Sequence, residues 1–190
     1  KAFLDLISIF LPSTEQAEGQ DYADGQARGY SDPAFFFVES HGPKQLNAWK
    51  DGKTMIRSET KIRVRYAETD KMGIAYHGNY FTWFEVARVN MLDELGISYR
   101  DLEAEGFLLP VLDCRAKFLR SAFFDDRLVV KTVMEDPPLA RIELAYEVMR
   151  GDELICTGKT AHGFVTTEGE ISRPPVRFVE LIRARFRKDG

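Results

Sequence analysis

The sequence is poor in the features that mark several large protein classes. Cysteine occurs only twice, at Cys114 and Cys156, too rarely for the dense cross-linking of small secreted scaffolds. Both lie in apolar stretches that read as strands, so both are expected as buried, reduced thiols behaving as small hydrophobes. The apolar run 2–11 is interrupted by Asp5 and falls short of the about 20 residues that cross a bilayer. Behind Lys1 the same run matches a secretory leader only in part, because 12–18 fits a cleavage region poorly; a cytoplasmic setting is expected. There is no Gly-rich phosphate loop and no Gly-x-Ser-x-Gly elbow, which removes the sequence basis for nucleotide hydrolysis or a serine hydrolase. The histidines at 41, 77 and 162 have no metal-ligand spacing to one another or to the cysteines, so neither a metal nor another cofactor is expected. Positive charge is not in excess. The net charge of -4 gives no general attraction to phosphate backbones, and nucleic acid is not an expected partner.

What is present is a globular composition. Hydrophobic residues make up 44% and charged residues 29% of 190 residues, enough for one soluble domain with some chain left over. The surplus lies at the front. No helical or strand period persists through 1–54, and turn signals stand at His41-Gly42-Pro43-Lys44 and Lys50-Asp51-Gly52-Lys53. An N-terminal arm over 1–54 and a domain over 55–190 are therefore expected. The apolar groups 3–10 and 35–38 of the arm are expected to dock on something, since exposed they invite aggregation.

From Thr60 the patterning sharpens. Ile62, Val64 and Tyr66 alternate with Lys61, Arg63 and Arg65, the period of a strand with one buried face. Tyr80, Trp83, Phe84, Ala87, Met91, Leu92 and Leu95 then recur at three- and four-residue spacing, which predicts an amphipathic helix ending at Gly96. Ser98, with Asp101 three residues on, opens a second short helix that closes at Gly106. Strands are predicted over 107–119, 127–135, 141–150 and 153–167, with turn composition at Asp125-Asp126, Asp136-Pro137-Pro138 and Gly151-Asp152. Turns this short make neighbouring strands antiparallel. After Pro174-Pro175, the spacing of Phe178, Leu181, Ile182 and Phe186 predicts a C-terminal helix over 176–187 with a basic end. The fold class is α+β.

The stretch from Tyr66 to Tyr80, Tyr-Ala-Glu-Thr-Asp-Lys-Met-Gly-Ile-Ala-Tyr-His-Gly-Asn-Tyr, precedes the large helix, which carries Trp83-Phe84-Glu85-Val86-Ala87-Arg88. Together these resemble the YbgC and 4-hydroxybenzoyl-CoA thioesterase branch of hotdog proteins. The pattern is an acidic-Thr-Asp trio, a glycine, an aromatic-His pair, Asn-Tyr, and an aromatic-Phe-Glu-x-Ala-Arg run. A weaker likeness extends from about Ile62 to the end, leaving 1–54 outside it. Glu68, where the family often has Asp, and Gly78 depart from the pattern at positions that leave its catalytic residues untouched.

The resemblance implies a hotdog fold, a long central helix wrapped by a curved antiparallel sheet, assembled as homodimers or homotetramers with the site at the subunit interface. It implies hydrolysis of an acyl-CoA thioester by Asp70, as nucleophile or as general base on a water. It also implies a backbone amide at His77 facing the thioester carbonyl, where a helix N-terminus stabilises developing negative charge. The His77 side chain is a further catalytic candidate, able to hold a water, orient Asp70 or protonate the leaving thiolate. Tyr76, Gly78 and Asn79 are candidate substrate-binding residues, although Asn79 also reads as the helix N-cap. Lys117 and Arg120 are candidates for the CoA phosphates, the plainer alternative being a solvated basic face. Glu85 and Arg88, three apart, are positioned to pair with each other.

Rival readings are of different kinds. A hotdog hydratase uses Asp-x-x-x-x-His, whereas Asp70 and His77 are seven apart. A non-catalytic acyl-thioester-binding or regulatory hotdog protein would use the arm for docking. An acyl-carrier-protein thioesterase would use Arg183, Arg185, Arg187 and Lys188 to meet an acidic carrier.

Overall fold

The computed structural model describes residues 55–188; the arm expected over 1–54, with His41, lies outside them. In chain order the elements are β1 (Ile56–Arg63), a 3-10 turn (Tyr66–Glu68), α1 (Gly78–Glu94), α2 (Tyr99–Ala104), β2 (Phe107–Leu108), β3 (Val111–Phe118), β4 (Arg127–Met134), β5 (Ile142–Arg150), β6 (Glu153–His162), β7 (Val165–Thr166) and α3 (Val176–Lys188). Five strands form an antiparallel sheet in the order β1-β4-β5-β6-β3. The long helix α1 packs on one face of this sheet, giving the α+β hotdog architecture.

α1 forms where its apolar spacing predicts. Tyr80, Trp83, Phe84, Ala87, Met91 and Leu92 are all buried in one cluster with residues of the sheet, and Gly96 ends the helix at a φ of +75° that a side chain would resist. The Phe84 ring stacks on Tyr146 of β5 at 4.4 Å, with 16° between the planes. Its outward face is less polar than an amphipathic pattern implies, for Phe81 and Val86 are exposed. Arg88 is buried and does not pair with exposed Glu85 as its spacing allows. Its guanidinium instead lies over the Tyr99 ring at 5.2 Å.

The strands show three differences from the sequence pattern. β1 begins at Ile56 and buries Ser58 and Thr60, while Tyr66, expected inward, is 77% exposed. The chain leaves the sheet after Arg63, so the period of two stops applying there. The stretch 107–119 divides at Leu109-Pro110, where proline has no N–H to give a ladder. The stretch 153–167 divides at Gly163-Phe164, and the fragments β2 and β7 pair with each other in a separate antiparallel ribbon.

Among the described residues β3 is an edge strand paired only with β6. Val111, Leu112 and Phe118 are exposed along it, and so is Cys114, against the expectation that both thiols are buried. Cys156, on the strand beside it, is fully buried, and burial pushes its thiol up to about 12. α2 and α3 form as predicted, and α3 anchors itself by burying Phe178 and Ile182, with Phe178 edge-on to Phe164 at 5.1 Å. Among the described residues no helix is long and apolar enough to cross a membrane.

Candidate active site

The segment between β1 and α1 is shaped by hydrogen bonds more than by apolar packing. The 3-10 turn closes when the Thr69 amide and hydroxyl both donate to the Tyr66 carbonyl, at 3.1 and 2.8 Å. A tight hairpin follows. The Asp70 amide donates to the Ile74 carbonyl and the Gly73 amide to the Asp70 carbonyl, each at 2.9 Å. Gly73 takes a φ of +75°, a backbone region that costs a glycine least.

Asp70 therefore stands at the mouth of this hairpin, partly exposed. Its Oδ1 accepts the Met72 amide at 2.8 Å, which holds the carboxylate in one orientation. Its Oδ2 has no donor among the described residues.

α1 starts directly behind the hairpin, with His77 as its N-cap residue. The first amides of a helix have no carbonyl one turn back to bond, and the aligned peptide dipoles make that end partly positive. The His77 amide accordingly has no acceptor among the described residues. The exposed imidazole of His77 packs against the Tyr76 ring at 4.3 Å and edge-on toward Phe118 of β3 at 6.4 Å. Phe118 also meets Tyr80 edge-on at 5.0 Å. The site thus opens beside the exposed edge of the sheet, with aromatic walls. The side chains of Asp70 and His77 make no hydrogen bond to each other.

Beneath the hairpin lies a buried carboxylate, Glu68, only 5% exposed. It accepts the Arg65 amide at 2.7 Å, Arg65 Nη2 at 2.9 Å and the Trp83 indole N–H at 3.1 Å. Burial pushes its acid upward, but the Arg65 guanidinium, the Arg65 amide and Trp83 together hold it below the usual carboxylate range. Its carbonyl accepts the Tyr76 amide at 2.8 Å and Asn79 Nδ2 at 2.7 Å.

The remaining candidates divide. Tyr76 and Gly78 flank the His77 amide, with Tyr76 half-exposed. Asn79 is not the N-cap, since the helix begins at Gly78 and its amide side chain is turned back to the Glu68 carbonyl. Lys117 follows the strand alternation to the face opposite Phe118. Arg120, just past the end of β3, is engaged by Glu153 at 2.9 Å. Neither is brought against Asp70 or His77. Among the described residues no group of three or more His, Cys, Asp or Glu could hold a metal.

Phe118 is no candidate in the sequence, where Trp83 reads chiefly as core and only secondarily as acyl-pocket lining, and Glu68 as a motif position outside the catalytic residues. In the sequence Glu68 stands only as the acidic member of the Glu-Thr-Asp trio, and its burial is not legible there because its indole donor lies fifteen positions away. The pairing of an acidic residue before the Thr-Asp step with a tryptophan on the next helix is the signal that could have found it.

What this arrangement can do is specific. It offers a carboxylate with one oxygen free among the described residues and, seven positions on, an amide at a helix N-terminus that is likewise without an acceptor there. The first suits nucleophilic or general-base attack, the second stabilisation of an oxyanion.

Comparison with known proteins bears on the same segment. A family model described as the thioesterase-like superfamily matches residues 64–186. The Bacillus subtilis (strain 168) protein YneP is 36% identical over 122 residues, 64% of this chain and 86% of that protein. The acyl-CoA thioesterase YbgC of Haemophilus influenzae is 30% identical over 66% of this chain and 90% of its own length. The crystal structure of a DHNA-CoA thioesterase from Staphylococcus aureus superposes with a TM-score of 0.64 and 38% identity, over 70% of this chain and 89% of that one.

Proposed function

Because this chain belongs to the thioesterase-like superfamily, we propose that it is an acyl-CoA thioesterase, hydrolysing a small or medium acyl-CoA thioester to free acid and CoA. The observation that carries the reading is the pairing of Asp70, with one carboxylate oxygen free, and the unpaired His77 amide at the head of α1. In this mechanism Asp70 either attacks the thioester carbon to give a mixed anhydride that water then cleaves, or takes a proton from the attacking water. The carbonyl oxygen gains negative charge in both routes and accepts the His77 amide. CoA leaves as thiolate and takes up a proton, from the exposed His77 imidazole or, in the general-base route, from the Asp70 carboxyl that took it from water. Tyr76 and Gly78 border the acyl group. Asn79, tied to the Glu68 carbonyl, shapes that border from behind. Lys117 and Arg120 are the cations proposed for the CoA phosphates, the latter by exchanging its Glu153 partner for phosphate.

A second copy of the chain completes the site in this proposal. The open edge strand β3 exposes Val111, Leu112 and Phe118, and Phe118 at its end adjoins His77; pairing an edge strand removes a row of unpaired backbone groups. The protein is then a homodimer or homotetramer working in the cytoplasm.

The test is thiol release from a panel of short, long and aromatic acyl-CoAs. Asn at position 70 keeps the acceptor for the Met72 amide, so the Asp70→Asn chain should fold while losing about 10²-fold or more in turnover. Full activity in that variant sinks the mechanism.

One observation favours a second donor. α3 exposes Arg183 and Arg187, a cationic face that an acidic acyl carrier protein would complement. A higher kcat/KM for the carrier thioester than for the matching CoA thioester, lost in the Arg183→Glu, Arg187→Glu double variant, would move the assignment to that substrate class.

A further inference from the structure

We propose that Glu68 is a positioning residue for the thioester chemistry, acting with Trp83 and Asn79 as a clamp that sets the separation of Asp70 from the His77 amide. The inference rests on the thioesterase reading and adds a residue role to it.

Glu68 accepts five hydrogen bonds from three directions, three on its carboxylate and two on its main-chain carbonyl. Two come from Arg65, where the chain leaves β1. One comes from the Tyr76 amide, on the returning limb of the hairpin. The other two come from α1, through Asn79 in its first turn and Trp83 in its second. Asp70 lies two residues after Glu68 and His77 one residue after Tyr76. The nucleophile and the oxyanion donor thus hang from opposite sides of the same node.

The anchor at the far end is rigid. Trp83 is 2% exposed and packs against the Tyr80 ring at 4.6 Å, so its indole N–H points from a fixed place in the core. A carboxylate is costly to bury, and a glutamine at 68 would place a donor amide among N–H groups that require an acceptor. The node therefore does what a neutral side chain of the same shape does poorly. Its carboxylate ties a hydrogen-bonded hairpin, which has little apolar packing of its own, to the second turn of the central helix, while its main-chain carbonyl holds the first. Reacting groups misplaced by about 1 Å lose on the order of 10²-fold in rate, which is the sensitivity this clamp addresses.

The experiment measures kcat and KM for the best acyl-CoA of the panel on the full chain. The wild type is compared with Asp70→Asn, Glu68→Gln and Trp83→Phe, and each protein is also melted. Trp83→Phe keeps an aromatic ring and removes the indole donor; because Trp83 is buried it also removes core volume, a loss that the melt records separately from kcat. The expected result is a fall in kcat of about tenfold for Trp83→Phe and about 10²-fold for Glu68→Gln, with KM within about twofold, at temperatures where each is folded. A loss confined to kcat marks an interaction needed in the transition state rather than in substrate binding. Should Glu68→Gln not fold, Trp83→Phe alone decides. The inference is overturned if the wild type turns over, Asp70→Asn does not, and the folded clamp variants keep kcat within twofold of wild type. It is equally overturned if they lose activity only through KM or only in proportion to unfolded protein. No thiol release by the wild type on any acyl-CoA overturns the thioesterase reading itself, and this inference with it.

Discussion

His162, on the core face of β6, shows how one side chain can report on the whole fold. It is 2% exposed, and its Nε2 lies 2.9 Å from Thr160 Oγ1, which in turn lies 2.9 Å from the Tyr146 hydroxyl. Its Nδ1 and the Nη1 of buried Arg88 have no hydrogen-bond partner among the described residues. Burial, and then the positive charge of Arg88, push the imidazole down from 6.5 to about 4. The folded chain therefore holds His162 neutral where an unfolded chain would protonate it. The contribution to stability is complete above about pH 6.5 and is lost progressively as pH falls from 6.5 toward 4, by at most about 1.4 kcal/mol per pH unit. Urea unfolding at pH 7, 6 and 5 should show this loss. A His162→Gln chain should show a flatter dependence between pH 6.5 and 5, and an unchanged slope would show that His162 is not the group responsible.

At the scale of elements, the contact of α1 with β5 and β6 is set by one missing side chain. A Cβ built on Gly158 of β6 would lie 2.4 Å from two ring carbons of Phe84. Phe84 is 1% exposed and stacked on Tyr146, so it cannot give way. Gly158→Ala should cost about 1–3 kcal/mol by overpacking, read as a lower urea midpoint at unchanged slope. Gly78, at the start of α1, is a useful contrast. There an added Cβ would meet the Tyr76 ring at 2.8 Å, but Tyr76 is half-exposed and free to swing outward. The cost in stability should be below about 1 kcal/mol, and any effect should fall on turnover. Equal destabilisation at the two glycines would contradict this picture of a locked core and a yielding rim.

At the scale of the molecule, the site lies at the border of what a single chain encloses. Phe118 forms one wall and belongs to the edge strand β3, whose outer side has no partner within the described chain. The proposed dimer predicts that light scattering gives at least twice the chain mass of 21.7 kDa. It further predicts that Leu112→Asp on the exposed edge weakens association and lowers thiol release in step with the loss of dimer. A monomer of full activity would overturn the interface proposal while leaving the chemistry of Asp70 open.

The sequence by itself determined the long helix, its end at Gly96, the antiparallel strands and the loop that carries Asp70 and His77. Each of these depends on neighbours close in the chain: a repeat of three and four, a turn residue, or a motif within fifteen positions. Only the tertiary structure decided which strands lie side by side, because β3 pairs with β6 and β1 with β4 across long separations that no local pattern encodes. For the same reason Cys114 was read as buried although its strand lies at the sheet edge, and Tyr66 as inward although the chain has already left the sheet. Glu68 belongs to this second class. Its burial and its bond to Trp83 arise only when α1 folds back beneath the hairpin, so a residue that the sequence shows only as the acidic member of a motif becomes the point where loop and helix are joined.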